Sequence, residues 1–145
     1  MNSRRGYFLK KLLYLSGLLY EKPVCYTSAA VEKAGRRADQ LMASKLLYLD
    51  SELTISKLAR AAATNRTYVS CYIRMTKGCN FREYVNSMRV RYARELLRSE
   101  KTDSLSDIAL ECGFSNLRTM NRSYKALFGK LPSQERRDYL RNRSL

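Results

Sequence analysis

The sequence predicts an all-α protein: two helix-turn-helix units joined by a long connecting helix, with a short helical N-terminal extension. Three observations carry this. A pattern occurs twice, as Ile55-Ser56-Lys57-Leu58-Ala59 and fifty residues later as Leu105-Ser106-Asp107-Ile108-Ala109. The first copy continues through Ala63, Asn65, Val69, Ile73 and Gly78, the second through Gly113, Ser115, Met120, Tyr124 and Gly129. The offset is 50 as far as Ser115 and 51 from Met120, so the second copy carries one extra residue after its turn. Apolar residues recur at helical spacing, and no run alternates with period two, so no sheet is expected. Cap residues and glycines fall where helices should start and stop.

The elements follow in order. Residues 1–40 read as an extension. Tyr7–Tyr20 is an apolar stretch broken by Lys10-Lys11, and its longest uninterrupted run is well short of the ~20 residues a bilayer span needs. A soluble or surface-docked helix is favoured there over membrane contact, docking either on Leu41–Leu49 or on a second copy, which would make a homodimer. Residues 21–30, with Pro23, read as a linker. A helix is expected from Ala29 to Leu49 on the stripe Leu41, Met42, Lys45, Leu46 and Leu49. The domain proper is expected over 41–141, followed by a basic tail, 142–145. Its first helix-turn-helix spans about 54–76, with Ser51 or Thr54 capping the short helix and Asn65 the next, which ends at Gly78. The connecting helix spans about 80–99, with Phe81, Tyr84, Val85, Met88, Tyr92, Leu96 and Leu97 in phase. The second unit spans about 104–128, with Ser104 or Ser106 capping its first helix and Ser115 its second. A last helix runs from Ser133 to Arg141.

Charge narrows the function. Lys and Arg number 28 against 13 Asp and Glu, a net +15, and the usual partner of such a surface is a nucleic acid. The sequence has no histidine and four cysteines. Cys25, Cys71, Cys79 and Cys112 form no C-x-x-C pair, so no metal site is expected. They read as reduced thiols of a cytoplasmic protein, with Cys112 in a core. Without histidine the commonest general base and the Ser-His and Cys-His nucleophile pairs are missing. No catalytic residue, cofactor or enzymatic activity is expected.

In a helix-turn-helix the second helix lies in the DNA major groove. Ala59 and Ala109 let two helices approach closely. Gly113 supplies a left-handed turn, where Ala63 in the first copy costs on the order of 1 kcal/mol unless the loop adjusts. The outward face of the first reading helix carries Arg66, Thr67, Ser70, Cys71 and Arg74. The second carries Asn116, Arg118, Thr119, Asn121 and Arg122. Arg grips guanine and Asn grips adenine at two points each, whereas a thiol is a poor reader, so the second unit is better equipped to specify sequence. Asn65, Arg66, Arg74, Ser115, Asn116 and Lys125 are expected at phosphates or helix starts. Tyr72, Tyr84, Tyr92 and Tyr124 fall at core spacing, which leaves single-strand stacking as a weak alternative.

These residues resemble a known family. From about Leu41 to Tyr139 the chain resembles the DNA-binding domain of AraC/XylS-type transcription regulators. Arg89-Val90-Arg91-Tyr92-Ala93-Arg94-Glu95-Leu96-Leu97 resembles the family's connecting helix, and Asp107-Ile108-Ala109-Leu110-Glu111-Cys112-Gly113-Phe114-Ser115 its most characteristic segment. Asn121-Arg122-Ser123-Tyr124-Lys125, Gly129 and Leu131-Pro132-Ser133 complete the signature. Thr64-Asn65-Arg66-Thr67-Tyr68-Val69 and Gly78-Cys79-Asn80-Phe81 are similar to a Bacteroidetes-type branch. The resemblance implies two units on one face of double-stranded DNA, and control of transcription, usually activation, through RNA polymerase. By position it places base reading on Thr67, Ser70, Cys71, Arg118, Thr119 and Arg122. The chain departs from the pattern at Ala63, where Gly is usual, at Cys71, where a basic or polar reader is common, and at Met120, where an aromatic is usual. Residues 1–40 are too few for the family's usual sensing domain. Two other readings stay open: a non-specific architectural DNA binder, and the DNA-binding remnant of a longer sensor protein. The DNA-repair methyltransferases that share this domain need a Pro-Cys-His setting, which a chain without histidine cannot supply.

Overall fold

The computed structural model describes residues 28–99 and 103–143. They form seven α-helices and one short 3₁₀ turn, with no strand among the described residues. In chain order these are α1 (Ser28–Ser44), the 3₁₀ turn (Leu47–Leu49), α2 (Ile55–Ala61), α3 (Arg66–Lys77), α4 (Phe81–Leu97), α5 (Leu105–Glu111), α6 (Leu117–Phe128) and α7 (Pro132–Arg143). The all-α expectation holds for the described part of the chain. The Tyr7–Tyr20 stretch lies outside the described residues.

Two cores flank α4. The first gathers Val31, Ala38, Met42, Leu58, Val69, Tyr72, Ile73, Tyr84 and Val85. The second gathers Val90, Ala93, Leu97, Ile108, Phe114, Met120 and Tyr124. The first half of α4 closes one core and its second half opens the other, and Tyr92 packs against both. Residues 31, 34 and 38 are buried upstream of the expected domain start at 41, so the packed unit reaches back into α1. The closeness of that packing shows at Gly35, where a Cβ would meet the Tyr72 ring at 1.9 Å.

Three boundaries differ from the expectation. The helix expected to reach Leu49 stops at Ser44. Leu46 is left-handed (φ 49°) and exposed, and only Met42 of the expected stripe is fully buried. The reason is tertiary. Tyr48 turns into the core, and its carbonyl accepts a 2.6 Å hydrogen bond from Arg89 Nε on α4. Second, α7 runs from Pro132 to Arg143, a little beyond Ser133–Arg141 at both ends. Pro132 at the first helical position loses no helical hydrogen bond. Third, the cap of α6 is Asn116, not Ser115: Asn116 Oδ1 accepts from the Thr119 amide at 2.9 Å, as Asn65 Oδ1 accepts from the Tyr68 amide at 2.9 Å. The extra residue of the second copy therefore lies before the cap, and α3 and α6 correspond at a constant offset of 51. Asn116→Ala is expected to lower stability by about 1 kcal/mol and Ser115→Ala by far less, measured by urea unfolding. The reverse order would return the cap to Ser115.

The other caps fall where one of the expected residues stands. Thr54 Oγ1 accepts from the Lys57 amide at 3.1 Å, and Ser104 Oγ from the Asp107 amide at 3.1 Å. Asn80 and Glu83 form a capping box at the start of α4. Gly78 (φ 67°) and Gly129 (φ 74°) end the two reading helices in left-handed geometry that other residues adopt only with strain. Ala63 adopts φ 50° where Gly113 has 79°, so the first turn does hold an alanine in the left-handed region.

Candidate nucleic-acid interface

The two reading helices have the same construction. Each is 12 residues long, has an Asn cap and ends at a left-handed Gly. Each buries one stripe, Val69, Tyr72 and Ile73 in α3 and Met120 and Tyr124 in α6. Helical geometry then turns the opposite stripe to solvent. At the offset of 51, Thr67 stands where Arg118 does, Ser70 where Asn121 does, Cys71 where Arg122 does and Arg74 where Lys125 does.

Most of the expected contact residues are on that free surface. Asn65, Arg66, Thr67, Ser70 and Arg74 are exposed in the first unit, and Ser115, Asn116, Arg118, Arg122 and Lys125 in the second. Three are not fully outward. Cys71 is half-buried and packs against the first core. Asn121 is half-buried. Thr119 is half-buried too, and its hydroxyl donates to Asn116 Oδ1 at 3.0 Å, so it serves the cap as well as the surface. Periodicity alone could not separate these flank positions from the centre of the face.

The cations divide into two groups. Arg94, Arg98 and Lys130 converge on the buried Glu135. Lys77 pairs with Asp39 at 3.2 Å and Arg36 with Glu32 at 2.6 Å. By contrast, none of Arg66, Arg74, Arg118, Arg122 and Lys125 is ion-paired to a described carboxylate. A cation without an internal partner keeps its charge available to an outside anion.

Each unit carries a polar clamp. In the first unit the Asp39 carboxylate on α1 accepts from the Tyr72 hydroxyl at 3.0 Å and the Tyr84 hydroxyl at 2.6 Å. Burial, then the Asp39 bond, raises both tyrosine pKa values. In the second unit the acid sits on the last helix, and the cations of α4 reach it. Arg98 Nε lies 2.8 Å and Arg94 Nε 3.2 Å from Glu135 Oε1, and Lys130 Nζ 3.0 Å from Oε2. Burial alone would raise the Glu135 pKa, but the charged contacts from Lys130, Arg98 and Arg94 outweigh it and hold it at about 2. Tyr84 and Glu135 are also 51 residues apart, so the two clamps occupy equivalent places with opposite polarity.

Between the two units lie a cleft of about 420 Å³ and a wider groove of about 1100 Å³. Ser115 and Thr119 line the first and Arg122 the second, while Arg82 and Asn86 of α4 line both. Neither Arg82 nor Asn86 is on a reading helix. The signal was present in Arg82, a cation on the solvent side of the connecting helix two residues past its cap. Burial pushes the Cys112 thiol up to about 12, in keeping with an inert core cysteine. Among the described residues no group of side chains could hold a metal, and no helix is long and apolar enough to cross a membrane.

Known proteins share this arrangement. An AraC-type DNA-binding transcriptional regulator from Chromobacterium violaceum matches with a TM-score of 0.64 at 24% identity, over 77% of this chain and 96% of that one. The DNA-binding domain of AdpA, a global transcriptional factor solved with a target DNA, matches with a TM-score of 0.65 at 22% identity, over 74% and 96%. At such identities the likeness is one of fold. In sequence, the virulence regulon transcriptional activator VirF of Yersinia enterocolitica is 35% identical over 82 residues, covering 57% of this chain and 30% of that protein. The Msm operon regulatory protein of Streptococcus mutans is 23% identical over 128 residues, 88% of this chain and 46% of that protein. The chain thus spans less than half the length of these relatives. The helix-turn-helix domain family matches residues 58–138, from the first scaffold helix into α7. With this match over more than half the chain, and with two capped reading helices on either side of a shared connecting helix, the chain belongs to the AraC-type helix-turn-helix family.

Proposed function

We propose that this chain is a sequence-specific DNA-binding transcription regulator that lays α3 and α6 in two successive major-groove segments. The observation that carries the reading is the pair of matched helices, each presenting cations that no described carboxylate neutralises. Arg118 and Arg122 are the base readers of the second unit, with Thr119 at its flank. Thr67, Ser70 and Cys71 are the narrower reading surface of the first. Asn65, Arg66, Arg74, Ser115, Asn116 and Lys125 take phosphates or order the helix starts. Regulation is by activation, as the name of the Yersinia relative states for that protein, and we infer that it works through contact with RNA polymerase.

Selection of bound duplexes from a random DNA pool supplies the probe. On the selected duplex, Arg118→Ala or Arg122→Ala is expected to cost roughly 1–3 kcal/mol and to relax preference at one or two base positions. Equal losses on selected and random duplexes would reduce these residues to phosphate contacts and favour the non-specific architectural reading. For the intact chain, log affinity should fall against log salt with a slope of magnitude above about 4. A nearly flat titration would remove DNA as the partner.

A further inference from the structure

Arg89 is the buried cation that the DNA reading leaves unused. It lies in the middle of α4 and is 9% exposed. Its Nε donates to the Tyr48 carbonyl at 2.6 Å, in the 3₁₀ turn of the first unit, and its Nη2 to the Asp50 carbonyl at 2.8 Å, at the cap of that turn. Its guanidinium also lies 5.7 Å from the centre of the Phe114 ring, in the turn of the second unit. Next to Phe114, Gly113 is so close to the same 3₁₀ turn that a Cβ there would stand 2.5 Å from the Leu49 carbonyl oxygen. Three segments meet at this point: the 3₁₀ turn, α4, and the turn between α5 and α6.

A shared helix alone holds two units at a fixed distance but leaves each free to rock on it. A contact away from the helix axis stops the rocking. The fork of a guanidinium suits the task, because it spans two carbonyls at once, whereas an ammonium is a single point. Arg89 reaches the Tyr48 turn at the edge of the first core, and Phe114 belongs to the second.

We propose that Arg89, the Tyr48–Asp50 turn and the Gly113–Phe114 turn form an interlock that fixes α3 relative to α6, and so sets the spacing between the two DNA segments the chain accepts. The spacing half rests on the DNA reading above; the interlock itself does not.

The test has one arm without DNA and one with it. Nitroxide-bearing unnatural residues replace Met75 on α3 and Leu110 on α5, which are 70% and 61% exposed, and their distance distribution is measured by pulsed electron resonance. Arg89→Met and Gly113→Ala are expected to widen the distribution about twofold with far-UV helicity retained, and Arg89→Lys to give an intermediate width, since it keeps one donor group. An unchanged width in helical Arg89→Lys and Gly113→Ala chains overturns the interlock, even if Arg89→Met fails to fold.

In the second arm, binding to the selected duplex is compared with binding to the same duplex carrying one or two extra base pairs between the contacted segments. The unaltered chain is expected to lose about tenfold or more on the lengthened duplex, and Arg89→Lys no more than about threefold. Equal losses overturn the spacing role. If the distribution widens in the variants but the unaltered chain ignores the insertion, the interlock stands and the two-segment DNA reading falls.

Discussion

A chain with one extra alanine between Met88 and Arg89 is expected to lose site-specific DNA binding by about 100-fold or more while staying helical. One residue adds 1.5 Å and rotates everything beyond it by about 100° around the α4 axis. The insertion point separates the two cores. Tyr84 and Val85 keep their register in the first, and Val90, Ala93, Leu96 and Leu97 keep theirs in the second. What changes is the direction in which α6 faces when α3 is seated, together with the Arg89 contact to Tyr48 and Asp50 and the packing of Tyr92 on Tyr48. With only one unit engaged, the chain loses the effective concentration that a linked second unit provides. Gel-shift titration and footprinting on the selected duplex measure the effect, with circular dichroism as the control. Unaltered affinity with a full-length footprint would mean that the units bind as independent modules, and the fixed geometry would have no part in recognition.

The second large effect is expected at Glu135. Its carboxylate is 2% exposed and faces Arg94, Arg98 and Lys130, whose side chains are 33%, 39% and 34% exposed. Glu135→Ala leaves three cations facing one another over a small void and is expected to cost about 3 kcal/mol. For a domain of this size that lowers the thermal midpoint by roughly 10 °C. The partly exposed partners keep the loss from being greater, since water can solvate them once the acid is gone. A pH dependence follows from the same clamp. The folded-state pKa of about 2 lies below the ordinary value of 4.5, so the stabilisation is complete above about pH 4.5 and is lost as pH falls toward 2. Thermal unfolding between pH 2 and pH 6 should show this loss in the native chain and a flatter profile in Glu135→Gln. If Glu135→Ala unfolds within about 0.5 kcal/mol of the native chain, the clamp contributes no net stability.

The repeated pattern, most of the caps and the glycines were legible because they obey local rules. A helix start needs an acceptor for free amides, and a left-handed stop favours Gly, whatever surrounds them. This is why Thr54, Asn65, Ser104, Gly78 and Gly129 act where local rules put them. The core tyrosines were legible for the same reason: spacing placed Tyr72, Tyr84 and Tyr124 inward, and all three are buried. The exposed residues of both reading faces followed as the complement of those inward stripes.

Local rules failed where a residue's partner lies far along the chain. Leu46 and Leu49 continue a helical stripe, yet α1 stops at Ser44 because Arg89, some forty residues on, draws the Tyr48 and Asp50 carbonyls to itself. Glu135 reads in the sequence as one acid in a basic tail. It is buried because Arg94 and Arg98, on another helix, arrive beside it. Ser115 and Asn116 are equally good cap residues by type, and only the path of the turn around Phe114, buried in the second core, decides between them. The sequence by itself therefore determined the helices, most of their ends and most of the residues on their outward faces. The tertiary structure alone decided how the two units are set against each other, because that depends on contacts between segments that no local pattern links.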